Sequence, residues 1–232
     1  MIRDYILTAI LILYPLALKF AGRKKSFTGN KNTAAYYGKG IAEYAAFLLL
    51  FYLLDPHCFL KINFDQVGKG IIIDQDIFYG ILNIFYIPVC FALFFKKTFE
   101  TTTGESTEVF GYPVQLLPAT YKALFVFTIS IIAGVIFEEL FFRQFVFYFF
   151  YKSFGLKGDL LLLTSSFIFT FVHHYKKAGA ILTIFIIGLL LGKAYLYSGT
   201  LLYPIILHLF LNMTVVVLAW KRINKKPASL KQ

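Results

Sequence analysis

Ile136-Phe137-Glu138-Glu139-Leu140-Phe141-Phe142-Arg143 is the stretch on which the reading of this chain turns. Two adjacent glutamates and an arginine stand inside an apolar run from Leu124 to Tyr151. A charge in the middle of a bilayer costs from about 2.5 to more than about 10 kcal/mol, so such groups persist where they pair, face water or do chemistry. Helix geometry separates the two acids. Glu139 and Arg143 are four residues apart with the glutamate on the N-terminal side, the favourable orientation for an ion pair on one face. Glu138 lies about 100 degrees around the helix from Glu139 and can point elsewhere. If Arg143 neutralises one glutamate, the other is a candidate general base toward water. In the plainer reading both acids only tie helices together through Arg143.

The surroundings are those of a membrane protein. The chain is 59% apolar and 19% aromatic with 15% charged residues over 232 residues, too apolar for a soluble domain of that length. Lys and Arg number 23 against 12 Asp and Glu, but the bases fall in short clusters between apolar runs. That pattern marks topology and contact with anionic lipid, so no nucleic-acid partner is expected. Cys58 and Cys90 form no CxxC pair, which argues against a disulfide framework or a thiolate metal site. Met1 to Phe20 has one base before its apolar segment and Lys19, Arg23, Lys24 and Lys25 after it, the wrong asymmetry for a cleaved signal. A retained first span is expected there.

Windows of roughly 17–25 apolar residues predict an all-α, polytopic bundle of about seven spans: 4–20, 41–54, 77–95, 122–151, 159–176, 178–197 and 200–220. The second is short and can extend back through Tyr36-Tyr37. The fourth is long enough to tilt strongly or to break into a span and an interfacial helix. Basic clusters after span one, at Lys96-Lys97, at Lys176-Lys177 and in the tail (Lys221, Arg222, Lys225, Lys226, Lys231) put the N-terminus outside and the C-terminus in the cytoplasm. Lys152 and Lys157 fall on the outer side against this trend. Thr98 to Glu108 is a polar loop, and Phe110 to Tyr121 suits a segment lying in the interface. One membrane domain is expected: N-terminal spans and an interfacial segment over 1–120, a core over 121–220 and a basic cytoplasmic tail over 221–232.

Three of the four histidines lie in the last spans. His208 and Asn212 are four apart and share a face of span seven; Phe169 and His173 bear the same relation on span five. By helix rise, Glu138, His173, His208 and Asn212 come to compatible depths on three helices. His174 precedes Tyr175-Lys176-Lys177 and suits the interface, and His57 beside Pro56 reads as incidental. The Gly188/Gly192 spacing marks close helix packing rather than a ligand. Phe167, Phe169 and Phe171 read as core or lipid-facing bulk.

The patterns EExxxR (Glu138, Glu139, Arg143), FxxxH (Phe169, His173) and HxxxN (His208, Asn212), in order on successive spans, resemble the CAAX protease and bacteriocin-processing family (CPBP, or Abi), which includes the type II CAAX prenyl endopeptidases. The likeness covers roughly 120–215, and Gly188 to Asn212 resembles the family's last motif region. It implies helices enclosing a conical water-filled cavity and a glutamate-dependent intramembrane peptidase that needs no cofactor. Glu138 with His173 would activate the hydrolytic water, His208 and Asn212 would stabilise the oxyanion, and Glu139 with Arg143 would be a structural ion pair. The partners implied are the lipid bilayer and a protein or peptide substrate in it, and the location is the inner (cell) membrane of a bacterium. Two other readings stay open. In one, Glu138, His173 and His208 bind zinc, which their ligand types permit although there is no HExxH. In the other, the chain is a non-catalytic membrane factor in bacteriocin immunity or protein sorting.

Overall fold

The computed structural model describes residues 33–54, 56, 77–79, 108–109, 112–113, 117–173 and 178–225. Its helices are α1 (Thr33–Leu54), α2 (Tyr121–Glu139), a π-helical turn (Leu140–Phe145), α3 (Val146–Phe154), α4 (Gly158–Val172), α5 (Ala178–Ser198) and α6 (Leu202–Lys225). Ahead of α2, strands β1 (Glu108–Val109) and β2 (Tyr112–Pro113) form a minimal antiparallel ladder, with Glu108 opposite Pro113 and Val109 opposite Tyr112. The architecture is therefore helical, with that one hairpin among the described residues where the sequence suggests an interfacial segment.

Three helical stretches are long and apolar enough to cross a membrane: Tyr121–Phe154, Ile181–Ser198 and Leu202–Asn224. They match the fourth, sixth and seventh expected spans. The second expected span lies in α1, which does reach back through Tyr36-Tyr37. Span 4–20 and residues 80–95 of the third lie outside the described residues. Of the two alternatives for the fourth span, the break does not occur: the helix runs 34 residues without interruption, passing through the π-turn. One expectation changes. The fifth, expected over 159–176, is a helix of 15 residues that stops at Val172. At 1.5 Å per residue that is roughly 22 Å, short of the roughly 30 Å hydrocarbon core.

The chain packs as two compact units. The first contains Ala46–Phe78 and Phe137–Ile205, and its core gathers Phe147, Leu161, Leu162, Tyr195 and Leu196. Phe51 of α1 stacks on Phe145 at 4.4 Å and meets Phe141 at 5.3 Å, so the outer wall of the π-turn is aromatic. Helix α3 ends at Gly155, whose φ of 66° lets its N–H reach Tyr151 O while Leu156 N–H reaches Phe150 O. Those two bonds satisfy the last carbonyls, and the left-handed residue turns the chain into α4. Helices α4 and α5 approach closely because α5 carries glycine at the contact. A Cβ on Gly188 would come within 3.2 Å of Ser166 Cβ and 3.3 Å of Ser166 Cα, and one on Gly192 would collide with Leu162 Cδ1. This is the small-residue packing that the Gly188/Gly192 spacing predicts.

The second unit contains Thr28–Ala45, Tyr79–Ile136 and Ile206–Gln232. Tyr37, Leu117, Phe127, Ile131, Val215, Leu218 and Ala219 form its core, and the Tyr121 hydroxyl donates to Asn224 Oδ1 at 2.5 Å. On α2 the residues Phe125, Ile129, Ile132 and Ile136 are exposed at helical spacing. An apolar stripe left uncovered on a helix that already buries its opposite face is what lipid contact requires.

Candidate active site

In the first unit, α4 runs beside the junction of α2 and the π-turn, and two acid–base pairs meet there. Glu139 and Arg143 form an ion pair, Oε2 to Nε 3.2 Å, with side chains 0% and 1% exposed. Arg143 also donates from Nη2 to the Gly188 carbonyl on α5 at 3.3 Å, and its guanidinium lies 4.7 Å from the centroid of the Phe169 ring. A buried guanidinium thus gains a carboxylate, a carbonyl and an aromatic face, and Arg is the cation suited to all three at once. Phe169 is accordingly more than the bulk that the sequence suggests. Phe167 and Phe171 are exposed, whereas Phe169 is buried and touches both Arg143 and His173, the latter 4.3 Å away between ring centroids.

His173 closes α4. Its backbone N–H turns back to Thr170 O at 3.2 Å, a tighter turn that leaves the Phe169 carbonyl without its helical donor. The imidazole supplies the missing hydrogen: Nδ1 lies 2.7 Å from Phe169 O. A carbonyl can only accept, so Nδ1 carries the proton, and in the neutral ring Nε2 is left as an acceptor. Nε2 is 3.7 Å from Glu138 Oε2. The side chains of this second pair are 22% and 26% exposed, in contrast to the sealed Glu139–Arg143 pair one residue away.

His208 and Asn212 lie one turn apart on α6 in the second unit, His208 buried and Asn212 half-buried. His57, Cys58, Cys90 and His174 lie outside the described residues. No group of three or more His, Cys, Asp or Glu capable of holding a metal occurs among the described residues.

Three polar contacts escape the sequence reading. Ser165 Oγ donates to Phe142 O at 2.9 Å, and the Tyr195 hydroxyl donates to Gln144 Oε1 at 2.5 Å. Lys193, fully buried, pairs with Asp159 at 3.2 Å and lies 5.3 Å from the Tyr197 ring. Lys193 carried a readable signal, since it is a charge within the sixth apolar run and Asp159 is the last acid in the chain. The serine and the glutamine carried none.

The first unit thus defines a class: a helical membrane protein with one sealed ion pair beside a half-open carboxylate–imidazole pair. Residues 120–214 match the family described as type II CAAX prenyl endopeptidase Rce1-like. All three motifs fall inside that segment, and the match supports the CPBP, or CAAX protease, family for it. The family is one of membrane-embedded peptidases acting on protein substrates, and with the apolar helices it supports an integral membrane protein. No curated protein and no solved structure matches the chain.

Proposed function

We propose that this protein is an intramembrane endopeptidase in which Glu138 and His173 activate a water molecule against a peptide bond. The observation that carries the reading is the contrast between the two glutamates, one sealed with Arg143 and the other half-open beside the His173 imidazole. At 3.7 Å the Glu138–His173 separation exceeds a direct hydrogen bond, and in this reading both groups contact the same hydrolytic water. In this reading Glu138 takes a proton from the water as its oxygen bonds to the scissile carbonyl carbon. His173 Nε2 orients the water by accepting its second hydrogen. The carbon–nitrogen bond then breaks, and the proton held on Glu138 passes to the departing amine. His208 and Asn212, on one face of α6, are assigned the donors to the developing oxyanion on the strength of the motif resemblance and their donor chemistry.

The substrate class is a membrane-associated or lipid-modified protein or peptide precursor. The CAAX family supports a prenylated tail as the first probe. The test is the full chain reconstituted in liposomes with a quenched fluorogenic peptide bearing a farnesylated cysteine three residues from its C-terminus. The expected result is cleavage that falls about 10²- to 10⁴-fold in Glu138→Gln and is unaffected by a zinc chelator. Glu138→Gln cleaving at the wild-type rate contradicts the mechanism. Loss on chelation with recovery on adding zinc favours the metal-dependent form of the same site.

A further inference from the structure

A backbone carbonyl of the π-turn that follows the glutamates accepts a hydrogen bond from a hydroxyl on α4, the helix that ends at His173. A π-turn widens the backbone ring to i→i+5, and where the α pattern resumes the ladder skips one carbonyl. Here the last wide bond runs from Val146 N–H to Phe141 O, so the carbonyl next in line is that of Phe142. Ser165 Oγ donates to Phe142 O at 2.9 Å, and the contact is buried.

Ser165, Phe169 and His173 are spaced by four along α4 and lie on one face. Each meets the opposing helix in turn. Ser165 bonds the Phe142 carbonyl, Phe169 packs edge-on against the Phe142 ring at 5.0 Å and under Arg143, and His173 faces Glu138. The three contacts run antiparallel, from the π-turn back to the last turn of α2. The π-turn amounts to one residue inserted into a helix, which rotates the α2 side chains by about 100 degrees relative to those of α3. Its register therefore decides whether Glu138 or a neighbour faces His173.

We propose that Ser165 is a positioning residue for the hydrolytic pair: by binding the carbonyl released at the π-turn, it locks the rotational register in which Glu138 faces His173. The inference rests on the peptidase reading above. It acts through Glu138 and makes no contact with substrate.

The experiment compares Ser165→Ala, Ser165→Thr and Glu138→Gln in the full chain reconstituted with the same farnesylated fluorogenic peptide, with kcat and KM separated and thermal midpoints recorded in detergent. Alanine removes the donor and threonine keeps it. The expected result for Ser165→Ala is a fall in kcat of about 10- to 100-fold, the scale of an ångström-level misplacement of a catalytic group, with KM unchanged. Threonine should restore kcat to within about threefold. Wild-type kcat in Ser165→Ala overturns the proposal. So does equal loss in Ala and Thr that follows the thermal midpoint, since that is the behaviour of a packing residue. Full activity in Glu138→Gln overturns the peptidase mechanism itself and Ser165's role with it, and is distinguished by the glutamate variant alone.

Discussion

At the scale of single residues, one acid–base pair is sealed and the other is partly exposed. Glu139 and Arg143 are desolvated and hold each other, so removing one partner leaves an uncompensated charge in the interior. Arg143→Ala should destabilise the protein by about 3–5 kcal/mol, read as a lowered thermal midpoint in detergent, and Arg143→Lys should recover only part because it cannot keep both the Glu139 and the Gly188 contacts. The i,i+4 spacing of the two residues made this contact readable from sequence, and it is present at 3.2 Å. The FxxxH spacing placed Phe169 and His173 on one face, but the reason for the phenylalanine was not readable. It lies in Arg143, 26 residues upstream, whose guanidinium rests on that ring. Nor could sequence show that the His173 ring completes the end of its own helix, because that depends on where α4 stops. The histidine's nitrogen roles follow from the Phe169 carbonyl alone.

At the scale of elements, the helix boundaries were the less legible part. The run from Leu124 to Tyr151 gives no local sign of a π-turn, since Leu, Phe, Arg and Gln suit an α-helix equally well. The widened turn has its support elsewhere, in the Ser165 hydroxyl of α4 and the aromatic wall of α1. Helix α5 was legible in its glycines, because Gly188 and Gly192 signal close packing by their spacing. What it packs against was not. The same helix carries Lys193, whose partner Asp159 sits in the first turn of α4, where a carboxylate also suits the helix N-terminus. This pair ties the start of α4 to α5 at a distance from Glu138 along the chain. Asp159→Ala removes the carboxylate that pairs with the buried Lys193 ammonium, and we expect a loss of about 3–5 kcal/mol in thermal unfolding. Hydrolysis measured well below the melting range should change far less than in Glu138→Gln.

At the scale of the whole molecule, composition and charge placement carry the membrane reading, and three of the expected spans stand as apolar helices of sufficient length. The alternation of basic clusters predicts a cytoplasmic C-terminus. A reporter fused after Gln232 should accordingly be active if it requires the cytoplasm and silent if it requires export, and the opposite pattern would invert the topology. Peptide hydrolysis at the half-open Glu138–His173 pair does not depend on that orientation, and one comparison tests it directly. Cells making the wild-type chain and cells making Glu138→Gln at matched levels are profiled by mass spectrometry for new termini among membrane and secreted peptides. At least one cleaved species should be present with the wild type and absent with the variant. Identical profiles, with the variant still supporting the protein's phenotype, would contradict it and point to a non-catalytic role in immunity or sorting.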